Sequence, residues 1–167
     1  MKKLLPVLTV ILLICVVIIL FVSLSKKQNM ITIQKGNFQK QPLPIKTGHV
    51  NDTQCKMIIT DTTHACEVIA PNGNTWFFDD PGCMILWLKD KTFNDKAVMW
   101  VKTVDTKKWI AAKKAWYNQT DKTPMHYGFG AREIYKKGYI NYEQMRLKML
   151  RGENLTNPRI RKKLLGY

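Results

Sequence analysis

The stretch HACEVIAPNGNTWFFDDPGCMILWLKD, residues 64–90, carries the reading of the fold. His64 to Ala70 is a strand, because Glu67 interrupts an otherwise apolar run. Pro71-Asn72-Gly73-Asn74 follows as a turn, since Asn-Gly accepts the positive φ that a tight hairpin needs. Thr75-Trp76-Phe77-Phe78 returns as a second, aromatic-rich strand. Asp80 then caps a helix whose first residue, Pro81, has no N–H to satisfy. That helix runs through Cys83 and Met84 to about Asp90.

Downstream the same grammar recurs. Ala97 to Val104 predicts a strand, with shorter candidates at Lys108 to Ala112 and Ala115 to Asn118. Thr123 to Gly130 (TPMHYGFG) is a loop by its proline and glycines, and Ala131 to Lys137 returns as a strand. Asn141 caps a last helix with Gln144 as capping-box partner, and Gly152 stops it. The expectation is an α+β domain of two strand-strand-helix halves.

Upstream, Leu4 to Leu24 is apolar apart from Pro6, Thr9 and Ser23. About 20 apolar residues suffice to cross a bilayer, and a signal-peptide core is usually shorter. The run therefore predicts an N-terminal transmembrane helix, an anchor over residues 4–25, with cleavage at Ser23-Leu24-Ser25 as the alternative. The paired lysines Lys2, Lys3, Lys26 and Lys27 flank it on both sides and give little asymmetry. The expected layout is a single-pass protein of the inner membrane with its domain in the periplasm. Residues 29–52 read as a linker, 53–155 as the folded domain and 156–167 as a loosely ordered basic tail.

From residue 29 onward the chain carries 23 Lys and Arg against 12 Asp and Glu. Such an excess suits an acidic protein partner, anionic lipid or simply a solvated surface. An exported domain meets little nucleic acid, so none is expected as a partner.

Cys15 lies in the apolar run, which leaves Cys55, Cys66 and Cys83 beyond it. An odd number outside the cytoplasm points to a free or metal-bound thiol. Soft ligands gather in three places: Cys55-Lys56-Met57, Asp79-Asp80-Pro81-Gly82-Cys83-Met84 at a helix start, and Met125-His126 in the glycine-rich loop. Thiolate and thioether sulfur select Cu(I) over hard cations. Cys55 and Met57 share a side if the chain is extended there, and a helix start favours the thiolate of Cys83. Against this stand ordinary roles. Cys66 belongs in a core, a Cys55–Cys83 disulfide competes, and Asp80 is a cap beside Asp79, a neighbour that rarely converges with it on one substrate. Paired C-x2-C or H-x3-H spacings typical of structural zinc sites do not occur, nor do a P-loop, H-E-x-x-H or G-x-S-x-G. A carrier rather than an enzyme is expected. A thiol or redox protein using Cys83 with His64 or His126 as base is the alternative.

Three motifs then stand in a familiar order: Cys55 to Asp61 with His64-Ala65, Phe78 to Met84, and Thr123 to Ala131. Together, over roughly residues 53–135, they resemble the NosL family of copper chaperones for nitrous oxide reductase. The resemblance implies an exported, membrane-tethered α+β domain that binds one Cu(I) and delivers it to a copper enzyme. It maps the ligating sulfur to Cys55, Met57 and Met125, with Cys83 or His126 to complete the set. The chain departs from the family's C-x-x-C-G-M: Asp52 stands where the first cysteine would be, and Lys56 replaces glycine.

Overall fold

The computed structural model describes residues 4–24 and 30–166, with side chains of the first helix described for residues 8–20. That helix, α1, is Leu4–Leu24. Then follow β1 (Ile33–Gln34), β2 (Cys66–Ile69), β3 (Thr75–Phe78), α2 (Pro81–Leu88), β4 (Val98–Lys102) and β5 (Trp109–Ala111). The chain continues with β6 (Trp116–Asn118), β7 (Gly130–Arg132), α3 (Tyr142–Leu150) and α4 (Pro158–Leu165).

The hairpin and helix of residues 64–90 form as the sequence predicts. β2 and β3 pair antiparallel with Val68 opposite Trp76, joined at Gly73, whose φ is +80°. Asp80 caps α2 by accepting the Gly82 N–H at 2.8 Å, with Pro81 in the first turn. Alternation along β2 divides the sheet into two faces. Cys66 and Val68 join the main core with Phe78, Met99 and Val101, under α2 and α3. Phe77, on the opposite face, packs with Val50 and Ile59.

The expected pair of similar halves is corrected. β4 pairs directly with β2, so all five early strands make one antiparallel sheet in the order β1-β3-β2-β4-β5. Only β6 and β7 stand apart, as a two-stranded ribbon. The predicted strand from Ala131 to Lys137 is cut to Gly130–Arg132. Beyond it, the Glu133 and Ile134 N–H groups turn to the Asp105 carboxylate at 3.1 and 3.0 Å.

The expected membrane-spanning helix is also corrected, and with it the single-pass inner-membrane protein with a periplasmic domain. Among the described residues, no helix is long and apolar enough to cross a membrane. The flanking lysines Lys2, Lys3, Lys26 and Lys27, and Ser25 of the cleavage alternative, lie outside the described residues.

Residues 30–59 are held by bonds from distant parts of the chain. β1 pairs with β3, the Thr53 N–H donates to Phe77 O at 2.9 Å, and Trp100 Nε1–H donates to Lys40 O at 2.9 Å. Glu67, fully buried, accepts the Leu43 N–H with both carboxylate oxygens, at 3.2 and 3.0 Å. At the other end, α3 opens with a complete capping box between Asn141 and Gln144. The basic segment read as loosely ordered carries α4, capped by Asn157 and closed by Gly166.

Candidate metal centre

Two segments meet at one edge of the core, the turn after Asn51 and the start of α2. Asp52 shapes the turn. Its Oδ1 accepts the N–H groups of Gln54 and Cys55 at 2.6 and 2.8 Å, and Lys56 turns through φ +68°. Its Oδ2 accepts the Asp79 N–H at 3.0 Å, which ties the turn to the end of β3. Four residues later, Cys83 enters on the first turn of α2. Asp52, Cys55, Asp79 and Cys83 each place one ligand atom so that all four lie within 4.8 Å of one another. A cluster able to hold a metal ion is therefore present, and among the described residues it is this one.

Comparison of the sequence with protein-family models and characterised proteins, and of the fold with solved structures, gives no match. The reading of the site accordingly rests on its own chemistry.

Three of the four groups, the two thiols and Asp79, are held toward their protonated forms. Burial, then the nearby Asp52 and Asp79 carboxylates, push the Cys55 thiol up to about 11, while the Met57 backbone N–H opposes the rise. Cys83 is buried and pushed far above the ordinary thiol range, first by burial and then by Asp52, Asp80, Cys55 and Asp79. Asp79 is raised to about 7 by burial and by its contact with the Asp52 carboxylate. Its Oδ1 is buried and has no hydrogen-bond partner. Crowded acids that hold protons for want of a countercharge are what a cation relieves, releasing those protons as it binds.

The donor set fits a metal. An ion about 2.3 Å from each of two sulfurs bridges a gap of up to about 4.6 Å, close to the 4.8 Å within which all four ligand atoms lie. Thiolates suit soft ions and a carboxylate suits harder ones, so the set is mixed.

Of the residues singled out from sequence, Cys55 and Cys83 come together. Met57 is 46% exposed, and the alternation that would align it with Cys55 does not apply, because Lys56 leaves the extended region. Met125 packs partly buried against the main core, and its N–H donates to Asp80 Oδ2 at 3.1 Å, so the loop of residues 123–130 is pinned to the start of α2. Tyr127 of that loop lies so close that a Cβ on Gly82 would stand 2.3 Å from its ring. The Cys83, Asp80, Cys55 and Asp52 charges, after burial, raise the Tyr127 phenol to about 12, which marks it as a neighbour of the site. His126 is elsewhere: with Asp121, Lys122 and Arg161 it lines a surface cavity of about 440 Å³.

The helix-start argument for an activated Cys83 thiolate is outweighed here. Burial and three carboxylates act against the dipole of one short helix. His64 feels Asp121, Arg132, Asp61 and Lys107, and burial lowers it. Asp52 and Asp79 are the site residues that sequence reading passes over. Their signals are the place of Asp52 at the first cysteine of the C-x-x-C-G-M pattern, and that of Asp79 four residues before Cys83.

Proposed function

We propose that the chain carries one Cu(I) ion between Cys55 and Cys83 and hands it to a copper-receiving enzyme. The observation that supports this reading is the two thiols at one core edge, brought together from segments 28 residues apart. Cu(I) favours sulfur, and two thiolates give it a complete low-coordinate set. On loading, both thiols lose their protons to solvent and the ion takes their place, so affinity rises with pH.

Transfer needs ligands that yield one at a time. Cys55 is half-buried and Cys83 fully buried, so an incoming partner meets Cys55 first. Met57 is exposed two residues from Cys55, and Met125 lies on the loop pinned to α2, so each is a candidate for a weaker thioether donor during transfer. The likeness to NosL chaperones in three ordered motifs supports the same assignment. A net charge of +15 steers encounter toward an acidic docking face.

The test is a Cu(I) competition titration of the full chain under reducing, anaerobic conditions, beside Cys55→Ser, Cys83→Ser and Met125→Ala. One-to-one binding that either cysteine substitution abolishes, and that Met125→Ala weakens less, is the expected result. Competition unaffected by both cysteine substitutions would overturn the reading.

A further inference from the structure

The two carboxylates of the cluster are not equivalent. Asp52 is fully buried, and both of its oxygens are committed to backbone N–H groups: Oδ1 to Gln54 and Cys55, Oδ2 to Asp79. Those three bonds hold the turn that carries Cys55 against the strand end that leads to Cys83. A carboxylate with its oxygens so engaged has a structural task already.

Asp79 is the opposite case. It is 4% exposed, its Oδ1 has no hydrogen-bond partner, and one of its oxygens lies within 4.8 Å of both thiol sulfurs. A buried carboxylate oxygen without a donor is unfavourable in the metal-free protein, and this one holds no turn or cap in place. Asp80, its neighbour in sequence, does the capping, through Gly82 and Met125.

We propose that Asp79 is the oxygen ligand of the site and sets its metal specificity, while Asp52 is a positioning residue that braces Cys55 against Asp79. This rests on the reading that Cys55 and Cys83 bind metal. A two-thiolate site satisfies Cu(I) without oxygen, whereas a borderline divalent ion such as Co(II) or Zn(II) needs further donors, for which a carboxylate serves. Asp79 thus extends the site from Cu(I) to divalent ions, and Asp52 serves both equally by fixing the geometry.

The experiment titrates Cu(I) and Co(II) separately into the full chain and into Asp79→Asn and Asp52→Asn, and records melting of each metal-free protein. Asparagine at 52 keeps the Oδ1 acceptor and loses only the acceptor for the Asp79 N–H. Asp79→Asn is expected to leave Cu(I) affinity nearly unchanged and to weaken Co(II) by about tenfold or more. Asp52→Asn weakens both ions together, by about 10- to 100-fold, as loss of an orienting partner does. Without metal, Asp79→Asn melts at or above the wild-type temperature, because a neutral amide with an N–H to donate replaces a carboxyl crowded against Asp52, and Asp52→Asn melts below it. A Co(II)-selective loss in Asp52→Asn with none in Asp79→Asn would overturn the assignment. Cu(I) binding without Co(II) binding in the wild type would overturn the role of Asp79 and leave the copper reading standing. Co(II) binding without Cu(I) binding would do the reverse.

Discussion

At Cys55 the thiol is half-buried and pushed up to about 11, chiefly by burial and then by the Asp52 and Asp79 carboxylates. Only the thiolate reacts with alkylating agents, so its labelling follows that charge state. In the metal-free full chain, iodoacetamide labelling of Cys55 should be slow at pH 7 and should rise about tenfold per pH unit toward pH 10. Cys66 and Cys83, both buried, should remain unlabelled without denaturant, and exposed Cys15 should label first. Peptide mass spectrometry reads all four sites. A Cys55 rate that levels off near pH 9 would show an ordinary thiol and contradict its rise through burial and the two carboxylates.

At the scale of elements, the site exists because two loops are locked onto the start of α2. Gly82 is where the loop of residues 123–130 and α3 press on it: a methyl there would meet the Tyr127 ring and, at 3.0 Å, Met149 Sδ. Gly82→Ala would ordinarily favour a helix, yet here it should destabilise the fold by about 1–3 kcal/mol through overpacking. It should also weaken Cu(I) binding by displacing the loop that carries Met125. Thermal melting and a Cu(I) titration check both effects, and an unchanged or raised melting temperature would contradict them. The hairpin, the Asp80 cap and the Asn141 capping box were legible in sequence, because each is made by residues within a few positions of one another. β7 was over-read, since only tertiary bonds to Asp105 show where the ladder stops. The meeting of Asp52 with Asp79 was not legible for the same reason: a bond across 27 residues leaves no local pattern.

Over the whole molecule, residues 29–52 read as a polar linker without a period, yet Leu43, Ile45 and Val50 pack with Phe77 and Ile59 on the outer face of the sheet. Their hold on it runs partly through Glu67, whose carboxyl burial pushes up to about 8 while the Leu43 N–H draws it down. Between its ordinary value near 4.5 and about 8, the folded chain keeps a proton that the unfolded chain has released. Stability therefore falls as pH rises across that window, by up to about 1.4 kcal/mol per pH unit for one proton. Asp79 at about 7 and Asp80 at about 6 act in the same direction. Glu67→Gln should make the metal-free protein more stable at pH 8 and should flatten part of this decline. Urea unfolding at pH 5, 6.5 and 8 measures it, and a wild-type stability that climbs with pH would contradict the account.

The most direct test of the proposal is X-ray absorption at the copper edge of the full chain loaded with one equivalent of Cu(I). A first shell dominated by sulfur, with one sulfur lost in Cys55→Ser and one in Cys83→Ser, is the predicted result. A shell of nitrogen and oxygen, unchanged by either substitution, would contradict it.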